Sequence, residues 1–341
     1  MILISGVPRS GTTWVGRVLG YAENVRLCHE PDNEHGNLLA YLNKQQLARF
    51  PYMRKEDPRD HGLYRIYNEV INGKPISGYE RSSNIVKRLM RIGEETVEEH
   101  LKKKQRFFRS YGTDQTPWPY EPSARLKLIQ LLLDVIWLSE RFSPSRKLVV
   151  KSVHSSLALP YLQRHFNPQM VLVVRHPADI VLSHKKLNNP DINRDILAHK
   201  RLQEDYLNGS LIQEIKKLNT PLEKAGAQVG AFYYIFARQL KDHPDWILVE
   251  HETYCMDPVE KFKSLYTQLN LRWSSEIEKF IRELNSSEQS GYEARRIAQN
   301  QTGKWKKELS ADEAEQIRRG YSLFPHRFYR EFATEPRKRA V

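Results

Sequence analysis

A glycine-flanked loop near the amino terminus is the segment of this chain with the clearest chemical meaning. The glycines let backbone N–H groups turn around an anion, and a helix that begins after the loop adds the positive end of its dipole. Three hydroxyl side chains are further donors. The sequence therefore predicts a site for a phosphate or sulfate group in the run Gly6-Val-Pro-Arg9-Ser10-Gly11-Thr12-Thr13.

The loop lacks the lysine of nucleoside triphosphate sites, and this absence indicates which kind of anion it binds. Loops for nucleoside triphosphates read G-x-x-x-x-G-K-[ST], whereas here Thr12 stands at the lysine position and the basic side chain is Arg9. Kinases and ATPases use that lysine on the β- and γ-phosphates, and hold Mg²⁺ with the loop Ser/Thr and an Asp at a strand end. No apolar strand pattern of this chain ends in Asp. We therefore expect a nucleotide bound without a metal ion.

A second basic residue is placed for phosphate binding further along the chain. Arg175 follows the apolar run Val171–Val174, and Pro177 marks the start of a helix. Ser183 comes eight residues after Arg175, about two helical turns along the same side. A guanidinium fork and a hydroxyl together suit a terminal phosphate. Arg-x-Pro alone is a common start of a helix. Together with the Ser eight residues later and the phosphate loop upstream, it predicts a nucleotide site.

These two segments resemble the sulfotransferase superfamily. Its loop for the 5′-phosphosulfate commonly reads P-[KR]-[SG]-G-T-[TS], which the run from Pro8 to Thr13 matches at every position. Its 3′-phosphate segment has an Arg at a strand end and a Ser eight residues later. The resemblance implies that the donor is 3′-phosphoadenosine 5′-phosphosulfate (PAPS), used without metal. The donor-binding residues that it implies are Arg9, Ser10, Gly11, Thr12, Thr13, Trp14, Arg175 and Ser183.

The resemblance also implies two candidates for the base that deprotonates the acceptor hydroxyl. Glu30 ends the second predicted strand and follows Arg9 by 21 residues, as the catalytic Glu does in tyrosylprotein sulfotransferases. Many bacterial members have a similar His-Glu-Pro, here residues 29–31. His154 is the rival, because the segment Lys147-Leu-Val-Val-Lys151-Ser-Val-His154 is similar to the cytosolic enzymes' strand that ends in Lys-Thr-His, with one residue more. Lys151 is expected to supply positive charge in either scheme.

A late glycine-bearing segment, Gln301-Thr-Gly-Lys-Trp305, is a third point of resemblance. It is similar to the family's loop that closes on the 3′-phosphate and adenine. Lys304 is therefore expected to contact the donor, with Arg295, Arg296 and Trp305 as further candidates. An amphipathic helix with solvated basic residues is the alternative interpretation.

Strand and helix patterns alternate around these motifs, which predicts an α/β fold: a P-loop-type parallel sheet flanked by helices. Apolar runs indicate core strands, and longer runs with helical spacing lie between and after them. The predicted strands are Ile2–Ile4, Val25–Cys28, Lys147–Lys151, Met170–Val174 and Trp246–Val249.

The stretch from Asp32 to about Pro122 is polar, basic and rich in Tyr, Gly and Pro. We expect a largely helical insertion after the second strand, which contributes to the acceptor site. A long apolar helix is predicted from about Pro122 to Phe142. The chain is interpreted as a single domain over residues 1–341.

The charge balance points to anionic partners, since the net charge is +13 and the pI is about 9.5. Between Lys44 and Arg109 there are 16 Lys and Arg residues against 9 Asp and Glu, a local charge of +7. This points to an acidic or polymeric acceptor such as a polysaccharide. The remaining charge is spread over mixed-sign helices rather than gathered in a basic arm, so no nucleic-acid partner is expected.

The two cysteines, Cys28 and Cys255, cannot build a disulfide framework or a metal pair. The first residues lack the basic start and the longer apolar stretch of a signal peptide. No apolar run reaches the ~18 residues of a membrane span. These features predict a cytoplasmic protein with no membrane span.

The function expected first is transfer of a sulfuryl group from PAPS to the hydroxyl of a carbohydrate or another polar acceptor. A tyrosylprotein-type sulfotransferase and a P-loop kinase or NTPase are the alternatives from the same loop. A basic nucleic-acid-binding protein and a PAPS-binding protein without activity belong to other classes. ATP and Mg²⁺ dependence, or salt-sensitive binding without turnover, would distinguish them.

Overall fold

A parallel β-sheet of five strands carries the motifs of the sequence. The computed structural model describes residues 1–35, 37–59, 62–73, 97–111, 147–187, 199–285 and 301–334. Within these residues the strand order is β2-β3-β1-β4-β5. The predicted α/β fold, with a parallel sheet flanked by helices, is confirmed. The strands are β1 Ile2–Gly6, β2 Val25–His29, β3 Lys147–Lys151, β4 Gln169–Val174 and β5 Ile247–Glu250.

The register of the strand pairs determines which residues lie side by side at the carboxyl ends of the strands. β2 runs parallel to β3 with His29 opposite Lys151, so Glu30 follows directly beside the end of β3. β4 runs parallel to β5 with Val174 opposite Glu250, so Arg175 follows beside the end of that strand. In both pairs, a residue predicted for the site lies at the carboxyl end of its strand, where open α/β sheets bind ligands.

Strands β1 and β4 are buried along almost their whole length, as expected for a parallel sheet whose two faces are covered by helices. All five residues of β1 are buried. In β4, every residue after Gln169 is buried. Such continuous burial explains why these runs do not alternate between apolar and polar residues.

Helices lie between the strands and after them, as the spacing of the apolar residues predicts. The described helices are α1 Thr12–Gly20, α2 Leu38–Asn43, α3 Leu63–Ile71, α4 Val97–Tyr111, α5 Leu159–Phe166, α6 Pro177–Lys185, α7 Lys200–Tyr206, α8 Gly209–Lys216, α9 Pro221–Asp242, α10 His251–Met256, α11 Pro258–Gln268, α12 Ser275–Leu284, α13 Trp305–Glu308, α14 Ala311–Tyr321 and α15 Arg330–Thr334.

Side-chain caps determine where several of these helices begin. The Ser310 hydroxyl accepts from the backbone N–H of Glu313, whose carboxylate accepts from the backbone N–H of Ser310. These two reciprocal bonds form a capping box at the start of α14. A second capping box, Thr220 with Glu223, begins the long helix α9.

The chain divides into two compact units, which are described separately. The first unit comprises Met1–Leu3, Asn24–Pro168 and Asp195–Leu202, and the second comprises Ile4–Glu23, Gln169–Arg194 and Gln203–Val341. The single domain over residues 1–341 stays a prediction.

The insertion expected over residues 32–122 contains α2, α3 and α4 in its described parts. The helix predicted from Pro122 to Phe142 lies outside the described residues. Across the parts of the chain that the structure describes, no helix has both the length and the apolar character needed to cross a membrane.

Candidate active site

The phosphate loop lies in the second unit, between β1 and α1. Its backbone turns tightly, with the N–H of Ser10 bonded to the carbonyl of Val7 at 3.0 Å. Gly11 has φ +100°, and a Cβ at this position would lie 2.4 Å from Cδ2 of His251. Only glycine combines that conformation with that close approach. The buried His251 ring therefore packs against the loop at Gly11. The sequence did not indicate this contact.

Arg9, Arg175 and Ser183 lie together in this unit, as the two motifs predict. Nε of Arg9 donates to the Ser183 hydroxyl at 2.9 Å. The Arg175 guanidinium donates from Nη1 to the carbonyl of Arg9 at 3.2 Å and from Nη2 to the carbonyl of Gln301 at 2.8 Å. The late segment that carries Gln301 is thus bonded to the arginine of the second motif.

Two polar groups beside this cluster have no hydrogen-bond partner among the residues that the structure describes. Nε of Arg175 and Oγ of Ser10 are both buried and unpartnered. Arg175 is 8% exposed and Ser10 is fully buried. A buried polar group without a partner costs about 1–3 kcal/mol, and more when it is charged. Both groups can donate a hydrogen bond to an anion, so the chemistry of these residues fits a phosphorylated ligand.

The other residues predicted for donor binding have different surroundings. Thr12 is buried in the first turn of α1. Trp14 packs edge-on against Phe262 and His251, with ring centroids 5.0 and 5.8 Å apart. Thr13 is partly exposed. The contacts of Trp14 are therefore those of a packed helix residue.

The late segment brings Lys304 and Trp305 into the second unit. Lys304 is the residue before α13. The Trp305 ring stacks on His176, with centroids 4.9 Å apart and planes inclined by 9°. Arg295 and Arg296 lie outside the described residues.

In the first unit, the two candidate bases contact each other. Lys151 pairs with Oε1 of Glu30. Nε2 of His154 lies 3.6 Å from Oε2 of the same carboxylate, which also accepts a hydrogen bond from Asn33 at 3.3 Å. The structure thus brings Glu30, Lys151 and His154 together. The extra residue before His154 does not keep it away from this cluster.

The charges of this cluster determine its protonation. Burial alone would raise the pKa of Glu30, but the contact with His154 and the charge of Lys151 outweigh it and hold the pKa well below its usual value. Burial lowers the pKa of His154 despite the opposing effect of Glu30. Near neutral pH, Glu30 is therefore an ionised carboxylate and His154 a neutral imidazole.

A buried Asp that the sequence analysis missed holds the turn after β3. Asp32 is fully buried and accepts hydrogen bonds from the hydroxyls of Ser152 and Ser155. The Tyr67 hydroxyl bonds to Ser155 at 2.7 Å, and the backbone N–H of His154 donates to Ser152 at 3.1 Å. This network fixes the backbone of His154. The sequence features that could have indicated this network are the serines that follow Lys151 and the Asp two residues after Glu30.

A buried lysine from the insertion supports the same region. Nζ of Lys44 donates to the carbonyls of Asp32 and Arg49, at 3.0 and 2.8 Å. The next residue, Phe50, stacks on the His154 ring with centroids 5.0 Å apart. The start of the insertion therefore packs directly against one candidate base.

A comparison with known families identifies the chain. The profile described as "Sulfotransferase family" matches residues 2–275. The chain belongs to the sulfotransferase family. The match supports sulfuryl transfer over the kinase and nucleic-acid alternatives, and makes this family member a transferase. A search of curated protein sequences found no match.

Two solved structures with similarity to this family member carry the name of sulfotransferases. The "Sulfotransferase Domain from the Curacin Biosynthetic Pathway" is 14% identical, with a TM-score of 0.45, 96% of this chain covered and 98% of the other. Sulfotransferase STF9 from Mycobacterium avium is 15% identical, with a TM-score of 0.40, 93% of this chain covered and 74% of the other. At these TM-scores neither structure carries an argument about the donor or the acceptor.

Proposed function

We propose that this family member transfers the sulfuryl group of PAPS to an acceptor hydroxyl. The observation that carries the proposal is the cluster of Arg9, Arg175 and Ser183 around the phosphate loop. Its unpartnered donors, Nε of Arg175 and Oγ of Ser10, have the chemistry of an anion site. The missing loop lysine, replaced by Thr12, favours a phosphosulfate over a Mg²⁺·triphosphate.

The donor-binding roles follow the family's motifs. Arg175 and Ser183 bind the 3′-phosphate as a guanidinium and a hydroxyl. The backbone N–H groups of the loop, with Arg9, Ser10, Thr12 and Thr13, bind the 5′-phosphosulfate. The start of α1 adds the positive end of a helix dipole to this group. Lys304 contributes a further positive charge toward the nucleotide.

The proton-transfer roles fall to the first unit. Glu30 takes the proton of the acceptor hydroxyl as general base. Lys151 stabilises the negative charge that develops on the oxygen leaving the sulfur. The Lys151 charge lowers the pKa of Glu30, so a weaker contact between the two would make the carboxylate a stronger base. His154 contacts the same carboxylate and stays the alternative base.

A carbohydrate or another polar acceptor is favoured by the local charge of the insertion, +7 between Lys44 and Arg109. Phe50 and Lys44, at the start of that insertion, pack beside His154 and Asp32. The insertion is therefore the segment of the first unit that we assign to acceptor recognition.

Nucleotide binding tests the donor assignment. In calorimetry with a chelator in place of Mg²⁺, the protein should bind 3′-phosphoadenosine 5′-phosphate more tightly than ATP or adenosine 5′-phosphate. The last comparison isolates the 3′-phosphate. Equal affinities, or a strict metal requirement, would favour the kinase alternative.

Variants link this preference to the site. Arg9→Ala and Arg175→Ala should each weaken binding of 3′-phosphoadenosine 5′-phosphate by about 1.5–3 kcal/mol, because each loses a charge-assisted hydrogen bond. Arg272→Ala is the matched control, since Arg272 is exposed in the same unit. Wild-type affinity in both site variants, with the fold intact, would exclude the site assignment.

A further inference from the structure

Residues 301–305 are attached to the second unit at three points. The carbonyl of Gln301 accepts a hydrogen bond from Nη2 of Arg175 at 2.8 Å. The backbone N–H groups of Gly303 and Trp305 donate to Oδ2 and Oδ1 of Asp179, at 2.9 and 3.0 Å. Stacking of Trp305 on the ring next to Arg175 is the third contact.

The position and burial of Asp179 suit it to hold these residues. It lies in the first turn of α6, four residues after Arg175, and is 1% exposed. Both of its carboxylate oxygens accept from the backbone of one short turn. Gly303, in that turn, has φ +65°, which other residues rarely adopt. The carboxylate therefore selects one conformation of residues 301–305.

We propose that Asp179 is a positioning residue of the donor site: by fixing residues 301–305 it holds the Gln301 carbonyl against Arg175 and orients the guanidinium for the donor's phosphate. The inference rests on the proposed function, because it assigns Arg175 to the donor. Its physical basis is preorganisation. A guanidinium that is already oriented loses less conformational freedom when the anion binds.

The contact should depend on pH. Only the ionised carboxylate accepts both N–H bonds, because protonation converts one oxygen into a donor. Burial raises the pKa of Asp179, although the charges of Arg175 and Lys304 and the two backbone N–H bonds oppose it. The Cys255 thiol on α10 and His176, which stacks on Trp305, also face this region. The contact is thus complete above this raised pKa and weakens as pH falls through it.

Calorimetry with 3′-phosphoadenosine 5′-phosphate between about pH 5 and pH 8 tests the proposal. At the upper end, Asp179→Asn should bind the nucleotide about 10-fold more weakly than wild type, since an amide oxygen replaces only one of two acceptors. The ratio of the two Kd values should decrease as pH falls toward the raised pKa of Asp179, because a growing fraction of wild-type Asp179 is then protonated. The nucleotide's own titration cancels in this ratio. In turnover, KM for the donor should rise while kcat changes little.

Glu252→Gln is the matched control. Glu252 is a largely buried carboxylate of the same unit, also with a raised pKa, but it accepts from the backbone N–H of His176 and from the Tyr329 hydroxyl rather than from residues 301–305. Its Kd ratio to wild type should not change with pH. A ratio that changes as it does for Asp179→Asn would overturn the specific role of Asp179.

The other outcomes also decide the question. Wild-type affinity and pH dependence in Asp179→Asn would overturn the inference and leave donor binding intact. A wild-type protein without preference for the 3′-phosphate would overturn the proposed function and the inference with it. If the variant does not fold, amide hydrogen exchange of the wild type decides. The protection factors of Gly303 and Trp305 should rise when the nucleotide binds, and unchanged protection would contradict the proposal.

Discussion

At the residue scale, two residues predicted for the site have backbone conformations that their side chains disfavour. Glu30 has φ +47° and Arg9 has φ +73°. Left-handed conformations of non-glycine residues cost about 1–3 kcal/mol and concentrate at functional sites. The motifs predicted which side chains would be used, but not this strain. It depends on contacts such as the bond from the Glu30 N–H to the Lys151 carbonyl, which closes only in the folded chain.

The candidate base can be tested by single substitutions. Glu30→Gln should keep the nucleotide affinity but reduce kcat by about 10²–10⁴-fold, because the amide cannot accept the acceptor proton. His154→Ala should cost much less, since its imidazole contacts Glu30 and is not itself the base. Steady-state kinetics with calorimetry of 3′-phosphoadenosine 5′-phosphate separates the two effects. Because Lys151 and His154 keep Glu30 ionised, kcat should not fall between about pH 8 and pH 6.

Glu34→Gln is the control for that experiment. Glu34 is another buried glutamate of the first unit and pairs with Lys104. Glu34 lies in the insertion that we assign to acceptor recognition, so the effects of its loss should appear in stability and in KM for the acceptor, with kcat within a few-fold of wild type. A larger kcat loss in His154→Ala than in Glu30→Gln would assign the base to His154. Full activity in both variants would exclude both residues.

At the scale of elements, local patterns predicted the bounds of the strands to within a few residues. The predicted strand over Met170–Val174 is observed as Gln169–Val174, and the predicted strand over Val25–Cys28 as Val25–His29. The order of the strands could not be predicted, because it depends on which apolar faces meet. The Asp32 network was missed for a related reason, since its serines follow Asp32 by 120 and 123 positions.

Packing of α9 against α14 gives a test at this scale. A Cβ on Gly320 would lie 1.9 Å from the carbonyl oxygen of Glu223, so the two helices must separate to accept it. We expect Gly320→Ala to reduce the free energy of unfolding by about 1–3 kcal/mol, as overpacking does. Gly209, the first residue of α8, has no atom within 4 Å of such a Cβ, so Gly209→Ala should cause no loss. Equal denaturant midpoints for the two variants would contradict the close helix contact.

At the scale of the whole molecule, the predicted site residues form two groups. Glu30, Lys151 and His154 belong to the first unit, and the residues of the phosphate loop, with Arg175 and Ser183, belong to the second. Motifs identified the members of each group. Their partners were not predictable, because Lys151 and Glu30 are 121 residues apart and Arg175 and Gln301 are 126 apart.

Buried ionisable groups make the stability of the molecule depend on pH. Burial lowers the pKa of His176 to about 3 and that of His326 to about 4. The ordinary pKa of a histidine is about 6.5. As pH falls below that value, each of these histidines becomes protonated in the unfolded chain while it is still neutral in the folded chain. The unfolded state then binds more protons, so the free energy of unfolding falls as pH falls. Glu30 and Glu34, whose pKa values are also lowered, act in the same direction at lower pH. The raised pKa values of Asp179 and Glu252 oppose it.

His326 allows this linkage to be measured with one substitution. Its ring packs against Tyr321 and Tyr233, with centroids 4.8 and 6.0 Å away, so His326→Phe keeps an aromatic ring and removes the titrating group. Between about pH 6.5 and pH 4, a histidine that stays neutral only in the folded state contributes a slope of about 1.4 kcal/mol per pH unit. Urea unfolding at several pH values should therefore give a shallower loss of stability for His326→Phe. The free energy of unfolding of the variant, relative to that of wild type, should increase as pH is lowered. Parallel curves would show that His326 is protonated equally in both states, and would contradict the effect of burial on its pKa.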